Sequence, residues 1–349
     1  MATLTYGNRL NLFNVHQVKS DRGETLNMAQ NLAERNDLIR DLPTYKANQG
    51  LTHKIFRWTT LPSGERVQIG GTWGAEAPQG ENAVEGMFSL KTSYEPKTDT
   101  LTDDDPEAAS ARVDGDIAAF EEGLSQSWAN LLLKGDPAPR QDSIVGLMQR
   151  GPYNAIDNEF CFNVGGSAVS ANTNLRSAWL MCPGINTVHL IHNGAHPTVG
   201  VERKRMPIQR VEDPDNVGTK HSYISPVEFA FQQGICIRDQ RAVKRLANIP
   251  AAYGDTLTGD WFEALMYARY NHSIIGQMDT MAGNKGSQWF LYVDGWTYAK
   301  LVTAANNEKG VYFSSDNIYV TKLMMIGDII VRRLDALSLD AASGETYVS

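Results

Sequence analysis

Residues 105–137, DPEAASARVDGDIAAFEEGLSQSWANLLLKGDP, have the pattern of one long helix. Apolar side chains recur at spacings of 4, 3, 4, 4 and 3 residues, at Val113, Ile117, Phe120, Leu124, Trp128 and Leu131. These spacings place them on one continuous helical face. Asp105-Pro106 suits a helix start, because aspartate caps free amide groups and proline fits the first turn. Gly135-Asp136-Pro137 is a stop signal, so the sequence predicts a helix over residues 105–134.

The segment before this helix is dominated by β-strand signals. The alternating set is Ile55, Arg57 and Thr59 on one side and Lys54, Phe56 and Trp58 on the other. Further β-like runs are Arg66–Ile69 and Met87–Tyr94, and the stretch Gly70–Glu81 between them is rich in glycine and poor in core-forming residues. We predict a two-stranded excursion with a glycine-rich tip. Such a ribbon is marginal alone and needs another surface to lie on.

The remaining chain mixes short strands and helices. A polar arm with a short helix signal at Leu26–Arg35 precedes the ribbon, and one α/β domain is predicted after Pro139. Its predicted strands are Trp179–Met181, Thr187–Ile191, Gly234–Arg238 and Gln288–Val293, and its predicted helices are Asp260–Tyr270 and Gly295–Asn306. The closing strands are predicted at Val311–Phe313, Ile318–Val320, Leu323–Ile326 and Ile329–Val331, with a turn at Gly327-Asp328.

Composition excludes several classes of protein. The 349 residues include 32 basic and 40 acidic side chains, for a net charge of −8, and 42% are hydrophobic, which is typical of a folded protein. A net negative charge disfavours a protein whose main task is to bind nucleic-acid backbone. The first residues lack a secretory signal, so we expect synthesis in the cytoplasm. The most apolar stretch, Leu323–Val331, is too short for a membrane span, and no membrane association is expected.

The sequence carries no strong catalytic motif. It has no GxSxG elbow, HExxH helix, Walker loop or dinucleotide fingerprint. Cys161, Cys182 and Cys236 are far apart among apolar neighbours and are interpreted as buried thiols rather than disulfides or a zinc site. The acidic run Asp103–Asp105 is explained by the helix start, which favours negative charge. No cofactor or metal is expected.

The best metal-site candidate is the set His189, His192 and His196, with Glu202 nearby. It would make the chain a soluble metal-dependent hydrolase. However, alternation along a strand at 187–191 sends His189 and His192 to opposite faces of the sheet, so they cannot converge without a bend. A structural role for these histidines is favoured.

A second charged cluster joins basic and acidic side chains. Its members are Arg203, Lys204, Arg205, Arg210, Glu212, Asp213 and Asp215. A DNA-binding patch would not need the neighbouring carboxylates. The simpler interpretation is a loop whose charges pair with each other or across a subunit contact. With an arm and a ribbon that cannot bury themselves, this suggests that the chain's partners are copies of itself.

Several short motifs occur in the order found in one protein family. Asn36–Pro43, Ala47-Asn48, His53, Arg57 and Leu61-Pro62 are similar to the start of the E-loop, and Leu133–Asp136 and Gly146–Arg150 to the end of the spine helix. Asn186–His189, Gly234–Asp239 and Ile329–Leu337 resemble later landmarks. From about residue 26 to 337 the chain resembles the major capsid proteins of tailed bacteriophages with the Hong Kong 97-type fold. Thr44, where tryptophan is common, and Arg66-Val67, in place of a Trp-Arg pair, depart from the group's pattern.

The resemblance implies an α+β fold with defined parts. These are an N-terminal arm at residues 1–52, an E-loop at 53–100, a P-domain part at 101–149 with its spine helix at 105–134, an A-domain with some P-domain strands at 150–310, and a return to the P-domain and a C-terminal tail at 311–349. Some relatives crosslink their subunits through an E-loop lysine. Residues 70–85 contain no lysine, so no covalent shell is expected.

The implied function is that of a non-enzymatic shell protein. Pentamers and hexamers of the chain would assemble in the host cytoplasm into the icosahedral head of a virion. That shell would enclose double-stranded DNA without binding it specifically, which suits a charge of −8. Scaffolding, portal and decoration proteins are possible partners, and a cellular nanocompartment shell of the same fold is the alternative. Expected contacts between subunits are Trp58, Trp73, Glu76, Glu81, Arg203, Lys204, Arg205, Arg210, Glu212 and Asp213.

Overall fold

A computed structural model of the chain describes residues 36–60, 63–74, 76–98, 106–138, 144–156, 159–165, 175–194, 200–212, 221–250, 259–270, 288–307, 312–314, 323–337 and 348. The helices are α1 (Asp37–Asp41), α2 (Pro106–Lys134), α3 (Gly259–Tyr270) and α4 (Gly295–Asn307). The first eight strands are β1 (Thr44–Lys46), β2 (Thr52–Thr60), β3 (Gln79–Gly86), β4 (Phe88–Tyr94), β5 (Cys161–Asn163), β6 (Leu175–Met181), β7 (Val188–His192) and β8 (Val201–Arg205). The others are β9 (Gln209–Glu212), β10 (His221–Ile224), β11 (Val227–Ile237), β12 (Val243–Pro250), β13 (Trp289–Val293), β14 (Tyr312–Ser314), β15 (Leu323–Ile326) and β16 (Ile329–Arg333).

Helix α2 confirms the long helix predicted from the sequence. Its buried side chains include Ile117, Leu124, Trp128 and Leu132, and the other members of the predicted stripe pack against the same core. The helix closes where the Gly135 N–H donates to the Leu131 carbonyl at 2.8 Å. Gly146 then donates to the Gly135 carbonyl at 2.7 Å, and a side chain at position 146 would overlap this backbone. Glycine is therefore required where the chain passes the end of α2.

Helix α2 lies on a five-stranded sheet. The sheet order is β1-β7-β11-β4, and β8 pairs with β11 as well. Strand β11 is central: β4 lies along one edge, and β8 and β7 share the other. Phe120 of α2 stacks on Phe229 with ring centroids 5.9 Å apart, and Trp128 meets Phe231 edge-on at 5.6 Å. The apolar stripe of the helix thus covers one face of β11.

A second, seven-stranded sheet has the order β14-β15-β16-β13-β6-β12-β5. Every residue of β6 and of β13 is buried, as expected for strands covered on both faces. One hydrophobic core continues from Trp128 of α2 through Trp179 of β6 to Leu291 of β13. The strands after Pro139 are thus divided between the two sheets, and the two sheets share one core.

Helix α1 connects the predicted motif at Asn36–Pro43 to both parts of the core. The Asn36 side chain accepts from the Leu38 N–H at 3.0 Å and donates to the Ser125 carbonyl of α2 at 3.3 Å. Asp41 accepts from Arg332 Nε of β16 at 3.1 Å, which ties α1 to the seven-stranded sheet. This motif is therefore structural.

Several sequence predictions need correction. Arg66–Ile69 is not a strand, since the described residues from 63 to 74 have no strand pairing and β3 begins only at Gln79. The projecting two-stranded ribbon ends at Gly86, because the next strand, β4, pairs with β11 inside the five-stranded sheet. The segment at 201–205 is strand β8 rather than a loop. The helix predicted at Leu26–Arg35 and the strand predicted at Ile318–Val320 lie outside the described residues.

Candidate functional site: the projecting ribbon and its anchor

The predicted ribbon is present as the two-stranded sheet β2-β3. The antiparallel register runs from Thr52 opposite Gly86 to Trp58 opposite Gly80, with an irregularity after Trp58. Most described side chains beyond the base of the ribbon are exposed. A two-stranded sheet with so little buried surface is not stable alone, so the contacts at its base decide where it points.

The tip of the ribbon, residues 63–74 with Glu76, presents apolar side chains to solvent. Ile69 is fully exposed and Trp73 is 76% exposed. Isolated exposed apolar residues are ordinary, but a large aromatic ring and an isoleucine together at the end of a projecting ribbon indicate a contact surface. The tip of the ribbon is therefore a candidate contact surface.

Two glutamates give the tip loop its shape. Glu65 accepts a hydrogen bond from the Gly74 N–H at 3.0 Å, and Glu76 accepts one from the Ser63 N–H at 3.1 Å. These bonds cross-link the loop over 9 and 13 residues. They hold Trp73 in place without burying it.

An ion-pair network, the anchor triad Arg57, Glu85 and Arg150, fixes the base of the ribbon. Glu85 of β3 lies 2.7 Å from Arg57 of β2 and 2.9 Å from Arg150. Arg57 also donates through Nε to the Ile237 carbonyl at the end of β11, at 3.0 Å. The three side chains are only 9–15% exposed, so the carboxylate balances two largely buried positive charges. Removing it leaves both uncompensated.

A small apolar cluster lies beside the anchor triad. Ile55 of β2 packs with Ile191 of β7 and Cys236 of β11, and Ala83 and Met87 pack against them. This cluster is on the face of the five-stranded sheet opposite α2, because neighbouring residues in β7 and β11 alternate between the two faces. The ribbon base is therefore held by both apolar contacts and ion pairs.

The structure does not bring the predicted histidine cluster together. His189 pairs with Cys236 in the sheet, and His192 pairs with Gln233 three residues away, on the opposite face. The predicted divergence of His189 and His192 is thus confirmed, and His196 lies outside the described residues. Burial, with a smaller contribution from the neighbouring His53, lowers the pKa of His189 to about 4, and a backbone hydrogen bond with Gly184 opposes the shift.

The basic segment divides into a buried and an exposed part. Arg203 is 8% exposed, and its guanidinium lies 3.7 Å from the fully buried carboxylate of Glu121 on α2. The sequence predicted pairing within the charged cluster or across a subunit contact, whereas Glu121 lies 82 residues earlier in the same chain. Lys204 and Arg205 are exposed at the end of β8.

The other charged residues lie on a separate hairpin. Arg210 of β9 pairs in register with Tyr223 of β10, and Glu212 pairs with His221. All four residues are exposed. Asp213 lies outside the described residues. The hairpin is thus a second surface available to partners, distinct from the ribbon.

The ribbon residues that were predicted to contact other subunits lie at different positions along the ribbon. Trp73 and Glu76 are exposed at the tip, and Glu81 is exposed on β3. Glu81 is opposite Arg57 in register, yet the carboxylate that binds Arg57 belongs to Glu85. The side chain of Trp58 lies outside the described part of the structure.

Sequence reasoning missed the anchor triad and Ile69. The alternation in β2 already placed Arg57 on the same side as Ile55, an apolar residue, which is an unusual position for an arginine on a ribbon. That signal points to a buried partner for Arg57. It does not identify Glu85 or Arg150, because Arg150 is 65 residues from Glu85 in sequence.

In the described part of the chain, none of the helices combines the length and the apolar character that crossing a membrane requires.

Similarity to known proteins is clear at the level of the family. A protein-family model described as "Major capsid protein GP7" matches residues 20–343. No curated protein matches the sequence.

A solved structure of a bacteriophage epsilon15 particle supports the same fold. A chain in a near-atomic structure of bacteriophage epsilon15 is 18% identical, the alignment covers 88% of each chain, and the TM-score is 0.59. A chain in the capsid of bacteriophage JBD30 is 10% identical over 86% of this chain and 90% of that one, with a TM-score of 0.44. A chain in an encapsulin complex from Synechococcus elongatus PCC 7942 is 9% identical over 63% and 90%, with a TM-score of 0.38. The last two are too distant to carry an argument.

Because the family model spans nearly the whole chain, the chain belongs to the GP7 family of major capsid proteins and is a shell-forming capsid subunit.

Proposed function

We propose that this chain builds an icosahedral head of a tailed bacteriophage with the Hong Kong 97-type organisation. In this assignment α2 is the spine helix, the ribbon β2-β3 is the E-loop, and the five-stranded sheet with α2 forms the P-domain. The seven-stranded sheet with α3 and α4 forms most of the A-domain. Because β14, β15 and β16 belong to this sheet, this assignment revises the return to the P-domain expected for residues 311–349. Pentamers and hexamers of the chain enclose double-stranded DNA, and scaffolding, portal and decoration proteins are further partners.

The exposed tip of the ribbon carries this proposal. In the described part of the chain, Ile69 and Trp73 lie at the exposed end of an element whose base packs on its own subunit. Burying a large apolar side chain contributes about 1.5–3 kcal/mol. A neighbouring subunit in a closed shell supplies the surface that the subunit itself lacks, and the same contact repeats at every interface.

The net charge of the chain supports a shell that encloses nucleic acid rather than a protein that binds nucleic acid directly. At −8 the subunit has an acidic excess. Of the charged cluster around residues 203–212, Arg203 is neutralised inside the subunit by Glu121. This acidic excess favours DNA being held by enclosure rather than by contacts to its phosphates.

Electron microscopy of the expressed chain, alone and with the products of neighbouring genes, tests the proposal. We expect closed shells with fivefold and sixfold capsomers, and nucleic acid inside the filled particles. A chain that stays monomeric or dimeric under all these conditions would contradict the shell. Shells that contain protein cargo and no DNA would contradict the phage head and identify a nanocompartment.

A further inference from the structure

Three potential metal ligands meet where the ribbon rests on the five-stranded sheet. They are His53 of β2, His189 of β7 and Cys236 of β11, and their ligand atoms all lie within 4.8 Å of one another. His189 and Cys236 are directly opposite in the antiparallel pair β7-β11. The ring of His53 stands edge-on to that of His189, with centroids 6.0 Å apart. Each ligand therefore comes from a different strand.

The cluster contains an unsatisfied polar atom. His189 is 3% exposed and Cys236 is fully buried. Among the described residues, Nδ1 of His189 has no hydrogen-bond partner. A buried polar atom without a partner destabilises the folded state. This nitrogen is thus available to bind a metal ion.

We propose that His53, His189 and Cys236 bind a divalent ion of the zinc class and thereby clamp the base of the ribbon to the sheet. Imidazole nitrogen and thiolate sulfur are the ligands that zinc prefers, at about 2.0–2.1 Å and 2.3 Å. Tetrahedral bonds of these lengths hold the ligand atoms about 3.3–3.6 Å apart. Side-chain rotations that bring the three groups closer by roughly 1 Å complete the site, and water takes the fourth position. This revises the expectation that none of the three cysteines binds metal.

The protonation states of the two histidines suit this chemistry, whereas the cysteine must lose a proton when the ion binds. Burial lowers the pKa of both histidines, so their rings are neutral and offer a lone pair at neutral pH. Burial and the Glu85 carboxylate raise the pKa of the Cys236 thiol to about 12, so the free site holds a thiol. Ion binding forms the sulfur–metal bond and releases the thiol proton to solvent, as in other thiolate sites.

The surrounding charges and contacts influence the affinity of the proposed site for the ion. The negative charge of Glu85 acts on all three ligands and offsets the positive charge of the ion. Arg57 and Arg150 stabilise the thiolate, and both are already paired with Glu85. His53 is half-buried and provides the route of access. Its Nδ1 accepts a long hydrogen bond of 3.3 Å from the Asn48 N–H, which is the contact that ion binding disturbs.

Cobalt titration of the purified, chelator-treated chain tests the site directly. Co²⁺ replaces zinc in tetrahedral sites and reports a bound thiolate by a charge-transfer absorption band. We expect about one Co²⁺ per chain with this band, displaced by Zn²⁺. Cys236→Ser should abolish the band, and Cys182→Ser is the matched control, since Cys182 is also a buried cysteine outside any disulfide. In this control the band should remain.

A second variant keeps the test decisive if Cys236→Ser does not fold. His53→Asn changes a half-buried residue on the ribbon and should weaken Co²⁺ binding at least tenfold. Zn²⁺ should raise the unfolding temperature of the wild type and not that of His53→Asn. Absence of the band in the wild type, its survival in Cys236→Ser, or equal Zn²⁺ effects in wild type and His53→Asn would each overturn the site. These readouts concern one subunit, so they are independent of shell formation.

Discussion

Gly234 of β11 lies directly beneath the backbone carbonyl of Gly86 at the end of β3. A β-carbon at position 234 would overlap that oxygen and would also crowd Met87. The close approach occurs two residues before Cys236, in the part of β11 that supports the ribbon. The base of the ribbon therefore packs closely against β11, and this approach is possible because position 234 is a glycine.

The first prediction concerns this contact between Gly234 and Gly86. Gly234→Ala should destabilise the subunit by about 1–3 kcal/mol, because the added methyl group meets backbone rather than a flexible side chain. Chemical denaturation measures the loss, and limited proteolysis should show faster cleavage within residues 63–74. Gly123→Ala is the matched control: it is exposed in the middle of α2 with open space around it. That control should be neutral or should stabilise the subunit by up to about 1 kcal/mol. Equal losses of stability in both variants would contradict a specific role of the close contact at Gly234.

The anchor triad gives the second prediction. Glu85→Gln should reduce the free energy of unfolding by about 3 kcal/mol, since it leaves Arg57 and Arg150 with no carboxylate in a largely buried site. Asp37→Asn removes the carboxylate from a more exposed pair with Arg40, which is 43% exposed, and should cost less than about 1 kcal/mol. Urea denaturation distinguishes the two. Similar small losses would show that the anchor triad does not fix the ribbon.

The elements that the sequence predicted well are those with local patterns. The stripe from Val113 to Leu131 and the stop at Gly135 depend on neighbours within four residues, and α2 follows them closely. The divergence of His189 and His192 also follows from strand alternation alone. Such features need no knowledge of which strands pair.

The parts that could not be predicted depend on pairing between distant segments. Cys236 faces His189 only because β11 runs antiparallel to β7 in one particular register. Arg57 binds the carboxylate of Glu85 and not that of Glu81, because only Glu85 lies at the base of the ribbon where β11 and Arg150 converge. Without these pairings the sequence shows isolated charges and thiols, and the anchor cannot be recognised from it.

Tyr94 provides a prediction on pH. Its hydroxyl donates to Oδ2 of Asp116 on α2 at 2.5 Å, and burial together with this carboxylate raises the pKa of Tyr94 to about 12. The unfolded chain loses the phenol proton near pH 10, while the folded chain keeps it. The unfolded state then binds fewer protons, so this contribution to stability is complete below pH 10 and is lost as the pH rises toward 12.

Tyr94→Phe tests this pH dependence. The stability difference between wild type and variant, measured by denaturation at several values from pH 9 to 11.5, should shrink as the pH rises. Tyr223→Phe, on the exposed β9-β10 hairpin, is the control and should show no such trend. A Tyr94→Phe difference that stays constant over this range would contradict the assigned hydrogen bond.

Trp128 provides a prediction on the core. It is fully buried at the contact between α2 and β11, so Trp128→Ala should cost about 3–5 kcal/mol through lost burial and a cavity. The exposed neighbour Ser127 is the control, and Ser127→Ala should change stability by less than about 0.5 kcal/mol. Denaturation with urea measures both. A loss below about 1 kcal/mol for Trp128→Ala would mean that the helix does not depend on this contact.

The last prediction separates folding from assembly at the tip of the ribbon. The double variant Ile69→Ser with Trp73→Ser removes two exposed apolar side chains, so it should leave the stability of the free subunit within about 0.5 kcal/mol. Each side chain buried at an interface contributes about 1.5–3 kcal/mol, and 1.4 kcal/mol corresponds to a tenfold change in affinity. The concentration needed for shell assembly should therefore rise at least tenfold, as measured by sedimentation and electron microscopy. Ile185→Ser, at an exposed isoleucine between β6 and β7, is the matched control and should assemble normally; if the double variant also assembles normally, the tip is not a contact between subunits.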